Sequence, residues 1–154
     1  AWYAVEKAAR AAIVQPGKTV DCFMCKFRVE KGFLIVQLPS GRHLFYSAPM
    51  IADGDLCYTA TNPITRKWRR QSTYGGRLVE NIVQATARDL LVAAMFGVDR
   101  AGYTVVTTIH DEIVATAKRG TSIEPFMTAM RAVPAWANGC PVDATGWTGA
   151  RYHK

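Results

Sequence analysis

The sequence predicts an α+β fold, in which helices accompany several antiparallel strands. Two long stretches show the spacing of apolar residues that is typical of an amphipathic helix, and β-rich runs between them are joined by short turns. The 154 residues are 49% hydrophobic and 20% charged, which indicates a folded globular chain and excludes a disordered one. No run of about 18 apolar residues occurs, so no transmembrane helix is predicted.

The first half of the chain is predicted to contain one helix followed by strands. Val5 and Ala9 fall on the apolar face of a helix over residues 1–14, and Pro16-Gly17 ends it. Strands are expected, in order, at residues 20–28, 33–38, 43–46 and 56–60, with loop over the rest of 47–65. The second and third of these strands form a hairpin, because a Pro-Ser-Gly turn separates them.

The second half is predicted to contain a long helix, a hairpin and a second helical stretch. The long helix covers residues 76–96, and Gly97 is expected at its end. Two β-branched runs on either side of His110-Asp111 predict a tight β-hairpin. The remaining elements are expected at residues 103–109 and 112–117 for the hairpin strands, 122–138 for the helical stretch and 141–146 for a last strand.

The four cysteines give no clear metal site. Cys22 and Cys25 form a C-x-x-C pair, but no second pair follows at the spacing of zinc ligands. The pair lies in a largely apolar run, which favours buried reduced thiols.

The formal charge of the chain is +7, and its most basic segment comes before the long helix. From Leu56 to Val79 the chain has no acidic residue, and aromatic residues are interleaved with the cations. This segment supplies candidate phosphate ligands at Lys67, Arg69 and Arg70. A basic loop that serves solubility explains the segment about equally well.

Gly75-Gly76 follows the basic segment and opens the long helix. Glycine lets another backbone approach closely, and the N–H groups at a helix start favour anions. We therefore expect a phosphate-binding position at this helix start.

Four hydrogen-bond donors lie along one stripe of the long helix: Arg77, Asn81, Gln84 and Arg88. At about 100° per residue they fall within a stripe of roughly 60°. The minor groove of duplex DNA presents acceptors at equivalent places for every base pair, so such a row could hold DNA without reading its sequence. An ordinary solvated helix face is the alternative, and the stripe alone favours it.

The hairpin tip places a carboxylate, Asp111, at the end of a two-stranded ribbon. Carboxylates of this kind bind Mg²⁺ together with substrate phosphates in two-metal phosphoryl transfer. Asp and His are also common in surface turns, and the hairpin taken alone favours that explanation.

These pieces, in their order along the chain, resemble family A DNA polymerases of the phage type. His110-Asp111-Glu112 after an apolar strand is similar to the family's motif C. The helix before it resembles the corresponding polymerase helix, and so do shorter segments on both sides. The segments that carry the resemblance are Leu38-Pro-Ser-Gly-Arg42, Thr73 to Gln84, Gln84-Ala-Thr-Ala-Arg-Asp89, Gly146-Trp147 and Arg151-Tyr152.

The resemblance implies catalytic roles for the hairpin residues. It makes Asp111 a catalytic metal ligand, places Glu112 beside the metal site in a supporting role, and places His110 near the primer terminus. The implied cofactor is Mg²⁺ in a two-metal site whose second aspartate is not in this chain. Arg77 and Gln84, with the asparagine between them, resemble the family's contacts to the minor groove of primer–template DNA.

The resemblance also implies how the chain is organised. Residues 1–19 resemble a helix from the end of the fingers, and residues 20–154 resemble the carboxy-terminal half of the palm, with a β-hairpin insertion near 32–47. The expected sheet is therefore an antiparallel palm-type sheet with a long DNA-facing helix. A cytoplasmic location is expected, in a bacterium or a phage-infected cell.

Motifs A and B of the family do not occur in this sequence. We therefore expect the isolated chain to be inactive and to need a partner chain that carries these motifs, or to self-associate. The complete enzyme would also bind deoxynucleotide triphosphates. Two alternatives stay open: a DNA-binding module without catalysis, and a small structural or regulatory protein in which the hairpin is only a turn.

Overall fold

The largest element of the fold is an antiparallel sheet whose six strands follow one another in chain order. The computed structural model describes residues 1–152 and divides the chain into two units, Ala1–Thr86 and Ala87–Lys154. The elements are α1 (Trp2–Val14), β1 (Val20–Cys22), β2 (Cys25–Glu30), β3 (Phe33–Gln37), β4 (His43–Ala52), β5 (Asp55–Thr61), β6 (Trp68–Thr73), α2 (Gly75–Arg100), β7 (Thr104–Ile109), β8 (Glu112–Thr116), α3 (Glu124–Arg131) and a 3-10 helix (Ala135–Ala137). The antiparallel sheet and the three α-helices confirm the predicted α+β class.

In the first unit both helices pack on the same face of the sheet. Leu34 and Val36 of β3 are buried against them, whereas the alternate residue Phe33 is on the other face and is partly exposed. The core is formed by Val5, Ala8, Ala9, Ala12, Cys25, Phe27, Leu34, Val36, Leu38, Tyr46, Leu56 and Leu78. The small residues on α1 let that helix lie close to the sheet.

The start of α2 is locked to α1 by a glycine and a carboxylate. A Cβ built on Gly75 would lie 2.2 Å from the carbonyl oxygen of Trp2, so no side chain fits at this position. The N–H of Gly75 donates to Glu6 Oε2 at 2.8 Å, and Glu6 Oε1 accepts from Arg10 at 2.8–2.9 Å. These two donors hold the pKa of the Glu6 carboxyl below its ordinary value of 4.5.

The second unit contains a two-stranded sheet and α3. β7 and β8 are paired with each other. α3 packs against the carboxy-terminal part of α2, so closely that a Cβ added to Gly97 would lie 3.4 Å from the Cβ of Ala129. Tyr103 is buried, stacks edge-on against Phe126 at 5.4 Å, and donates its hydroxyl hydrogen to the carbonyl of Ser122.

Several element boundaries differ from the sequence-based prediction. The predicted strand at 20–28 is two strands, because Phe23 adopts a left-handed φ of 52° in a turn. Residues 47–52 continue β4 instead of forming a loop, and a bulge between Ser47 and Met50 accommodates Pro49. The basic segment from Trp68 onward is a strand, and residues 141–146 are not.

The long helix extends past its predicted end. Gly97 lies inside α2, which continues to Arg100, and Gly102 with a φ of 90° follows it. No helix among the described residues is long and apolar enough to span a membrane.

Cys22 and Cys25 form no disulfide in the structure, and the predicted burial holds for only one of them. Cys22 and Cys25 face each other across the turn between β1 and β2, and both are free. Cys25 is buried whereas Cys22 is partly exposed, and loss of hydration raises the pKa of both thiols.

Substitution Glu6→Gln should lower the free energy of unfolding by about 1–2 kcal/mol at pH 7, because the bonds from Gly75 and Arg10 lose their charged acceptor. The folded pKa of Glu6 is lowered, so its contribution is present above the ordinary pKa of 4.5 and is lost as the pH falls below it. Urea unfolding followed by circular dichroism at pH 7 and pH 3 measures both effects. Glu80→Gln, an exposed change on α2, is the matched control; an equal loss in both variants would contradict the role of Glu6.

Candidate nucleic-acid interface and metal ligand

The hairpin of the second unit presents Asp111 at its tip, as the sequence predicts. Ile109 pairs with Glu112, so His110 and Asp111 form a two-residue turn, and His110 adopts a left-handed φ of 54°. All three polar residues of the motif are exposed. The turn is held by paired strands on both sides, which limits the positions that the Asp111 carboxylate can take.

Glu112 is held by a residue from the carboxy-terminal segment. The hydroxyl of Tyr152 donates to Glu112 Oε2 at 3.0 Å, and the ring of Trp147 lies 6.2 Å from that of Tyr152. The hydrogen bond to Glu112 is the main cause that raises the pKa of the Tyr152 phenol. Nothing in the sequence alone indicated that Tyr152 contacts the hairpin.

The chemistry of the hairpin carboxylates fits a hard cation. Asp111 is exposed, no described residue forms a hydrogen bond or ion pair with it, and its carboxylate oxygens are ligands of the kind that Mg²⁺ takes. Glu112 is the next residue and has one oxygen engaged by Tyr152. Within residues 1–152 no group of three or more His, Cys, Asp or Glu side chains could hold a metal ion.

The predicted donors on α2 have different environments. Arg77 and Gln84 are exposed, and Gln84 Nε2 donates to Glu80 Oε1 at 3.3 Å. Asn81 is partly buried and its amide donates to the Tyr46 hydroxyl at 3.0 Å, so one of its hydrogens is used within the first unit. Of the three donors in this unit, Arg77 and Gln84 are therefore the ones displayed to a ligand.

Arg88 belongs to the second unit, where it is connected to the hairpin. Its guanidinium donates to the Thr108 hydroxyl at 3.3 Å, three residues before Asp111. The Arg88 side chain is exposed and keeps further donors for another acceptor.

The basic segment is divided between the two faces of the sheet. Ala60 pairs with Arg69 and Thr59 pairs with Arg70, so the two arginines point to opposite sides of β6. Arg69 points to the core side of the sheet. Its partner Ala60 is two residues from Tyr58 on β5 and so points the same way, and Tyr58 packs against the core. A duplex that lies on the helix-covered face therefore meets Arg69 and not Arg70.

The other basic residue of the segment, Lys67, precedes β6 in an exposed turn. This turn is shaped by Asn62, whose side-chain oxygen accepts from the N–H groups of Ile64 and Thr65 at 3.0 and 2.9 Å. The N–H of Asn62 donates to the carbonyl of Lys67 at 2.9 Å, which closes the turn.

The anion at the start of α2 is a protein carboxylate. The sequence suggested a phosphate here, but the N–H of Gly75 already donates to Glu6. The close backbone approach that the glycines allow is likewise to Trp2 of α1. The N–H of Gly75 is therefore used within the first unit, and phosphate binding by the rest of this helix start stays a prediction.

Arg42 is a cation beside α2 that sequence reasoning did not include in the interface. It comes from the turn between β3 and β4 and donates to the carbonyl of Ala85 at 2.8 Å. Its presence in the Leu38–Arg42 segment of the family resemblance was the one signal that could have identified it.

Comparison with known proteins gives one informative match. No family model matches the chain, and no solved structure matches it. A DNA polymerase of Bacillus phage SP02 is 40% identical over 159 aligned residues, which cover 99% of this chain and 24% of that polymerase. The chain spans about a quarter of the length of this curated relative and is similar to it along nearly its whole sequence.

Proposed function

We propose that the chain is part of a DNA-directed DNA polymerase of the family A type. The observation that carries the proposal is the 40% identity with a phage DNA polymerase over 99% of the chain. The exposed carboxylate at the tip of a rigid hairpin supports it, because template-directed nucleotidyl transfer requires such a ligand beside the growing strand.

In this proposal the hairpin corresponds to motif C, and Asp111 holds Mg²⁺. The bound ion would help to activate the primer hydroxyl and to neutralise charge on the nucleotide phosphates. Tyr152 orients Glu112 beside the metal ligand through its hydrogen bond. The turn at His110 keeps the carboxylate at the tip, where a primer end can reach it.

The proposed duplex contacts come from α2 and β6. Arg77 and Gln84 offer exposed donors to the acceptors in the minor groove, and Arg69 offers a cation to the phosphate backbone on the same side of the sheet. Neither kind of contact distinguishes one base sequence from another, which suits an enzyme that must move along any template.

The proposed partner is a chain or segment that carries motifs A and B. Among the described residues β7 and β8 pair only with each other, so each leaves one row of N–H and C=O groups for another strand. Val106 of β7 is 61% exposed, which fits a surface that another part of the polymerase covers.

Primer extension tests the catalytic proposal in two proteins. The isolated 154-residue chain with Mg²⁺ and all four nucleotides should give no extension, because this sequence lacks motifs A and B. A chimera in which this chain replaces the aligned part of the Bacillus phage SP02 polymerase should extend the primer. Substitution Asp111→Ala in the chimera should lower the rate by roughly 10²–10³-fold or more, as expected for loss of a group that stabilises the transition state.

Asp99→Ala, which removes another exposed carboxylate from the second unit, is the matched control and should leave the chimera active. Full activity of the Asp111→Ala chimera would contradict the assignment of Asp111. Extension by the isolated chain that disappears in its Asp111→Ala variant would contradict the need for a partner.

The salt dependence of duplex binding tests the division of β6 between two faces. Arg69→Gln should reduce the slope of log K against log salt by about 0.9, the contribution of one phosphate contact. Arg70→Gln should leave the slope for duplex DNA unchanged, since Arg70 is on the opposite face. Lys7→Gln on α1 controls for the loss of one charge. Fluorescence anisotropy of a labelled blunt duplex at several salt concentrations measures the slope for all three variants. Equal slopes for Arg69→Gln and wild type would refute the phosphate contact of Arg69.

Static light scattering over a range of concentrations tests the proposed strand edge. The isolated chain should self-associate, and Val106→Lys should weaken the association because a charge on an edge strand opposes pairing. Val83→Lys is the matched control, since Val83 is 59% exposed but lies on α2. A monomer at every concentration, with the amides of Val105 to Ile109 protected from exchange, would show that the edge is covered within the chain.

A further inference from the structure

One face of the six-stranded sheet carries a group of aromatic and basic side chains that the proposed polymerase contacts do not use. We call it the open sheet face, since both helices of the first unit pack on the other side. Its defining residues are Lys26, Arg28, Phe33, Phe45, Trp68 and Arg70.

The strand register places these side chains in rows across the sheet. Arg28 pairs with Ile35, which pairs with Phe45, so a cation, an aliphatic residue and an aromatic ring are neighbours. In the next row Phe33 pairs with Ser47, and the row continues through Thr59 to Arg70 on β6. Phe33 and Arg70 are three strand spacings apart, about 14 Å.

The aromatic rings of the open sheet face are unusually exposed for their size. Phe45 is 60% exposed, Trp68 is 63% exposed and Phe33 is 39% exposed. The rings of Phe33 and Phe45 meet edge to face with centroids 6.1 Å apart, and His43 lies 6.0 Å from Phe45. Exposed rings on a rigid sheet are a low-entropy platform for stacking flat ligands.

A shallow depression of about 380 Å³ lies beside these rings at the β1 end of the sheet and is lined by Thr19, Asp21, Lys26, Arg28, Ile35 and Gln37. Arg28 Nε is shielded from solvent and donates no hydrogen bond to any described residue. Glu30 Oε2 lies 3.2 Å from this nitrogen, so the two groups form an ion pair without the alignment of a hydrogen bond.

We propose that the open sheet face binds single-stranded DNA. Bases would stack on Phe45, Phe33 and Trp68, and phosphates would contact Arg28 at the β2 end of one row and Arg70 at the β6 end of the next. Exposed aromatic residues on a sheet, flanked by Lys and Arg, are the arrangement with which proteins bind single strands without sequence preference. The choice of DNA over RNA rests on the proposed polymerase function, and the site is separate from the duplex surface of α2.

Charge argues against a second copy of the chain as the occupant. Each chain carries a formal charge of +7, so a second copy is repelled whereas a polyanion is attracted. On the open sheet face itself the cations Lys26, Arg28 and Arg70 are matched in number by the acids Asp21, Glu30 and Asp55, so the long-range attraction comes from the chain as a whole.

The test compares three labelled oligonucleotides by fluorescence anisotropy with the full 154-residue chain: oligo(dT), an abasic strand of the same length and charge, and a blunt hairpin duplex. Wild-type protein should bind oligo(dT) roughly tenfold or more tightly than the abasic strand, because each stacked base contributes on this scale. Equal affinity for the two strands would overturn the proposal, and this comparison requires no variant.

Variant proteins then locate the site. Phe33→Leu/Phe45→Leu/Trp68→Leu keeps an apolar sheet surface but removes all three flat rings, and it should abolish the preference for oligo(dT) over the abasic strand; Phe33→Leu/Phe45→Leu, which keeps Trp68, should reduce it. Tyr3→Leu removes a ring that is 80% exposed on α1 and is the control. Circular dichroism establishes that each variant is folded; a folded triple variant that retains the full preference would overturn the assignment to this face.

The remaining outcomes separate the two proposals. Duplex binding should be unchanged in Phe33→Leu/Phe45→Leu. If the wild-type chain prefers oligo(dT) to the abasic strand but does not bind the duplex, the proposed α2 surface is overturned and the open sheet face is not. Tighter binding of oligo(U) than of oligo(dT) would assign the face to RNA. Self-association that the double variant abolishes and that oligo(dT) does not compete would assign it to a second copy, and either result would overturn the proposal.

Discussion

The contact between Glu6 and the start of α2 is the constraint on which the first unit depends. Gly75 has room for no side chain beside the backbone of Trp2, and its N–H donates to the Glu6 carboxylate. This fixes where α2 begins on the sheet, and Leu78, one turn later, enters the core. The exposed positions of the helix, Arg77 and Gln84, follow from that placement because helix periodicity determines the rest.

The sequence predicted the elements whose pattern is local. β-branched runs on both sides of His110-Asp111 gave the hairpin, and apolar spacing gave both main helices. β6 was not predicted as a strand, because Trp68 and the following arginines show no apolar alternation. The extension of β4 was missed because Pro49 indicated a loop, whereas a bulge accommodates it.

The candidate site was predictable as a set of residue types but not as a set of contacts. Periodicity placed Asn81 with Arg77 on one stripe, yet it could not show that Tyr46 accepts a hydrogen bond from Asn81. The same limit applies to Tyr152 and Glu112, which are far apart in sequence. Strand alternation would have separated Arg69 from Arg70, but only once β6 was known to be a strand.

The carboxylate at the head of α2 has a consequence for how this region can change during evolution. A main-chain N–H group is present whatever residue occupies its position, so an anion site built from backbone is hard to alter by substitution. Here the first amide of the helix is already occupied by Glu6. The affinity that exposed side chains such as Arg77 and Arg69 give for an external polyanion can, in contrast, be adjusted one residue at a time without rebuilding the fold.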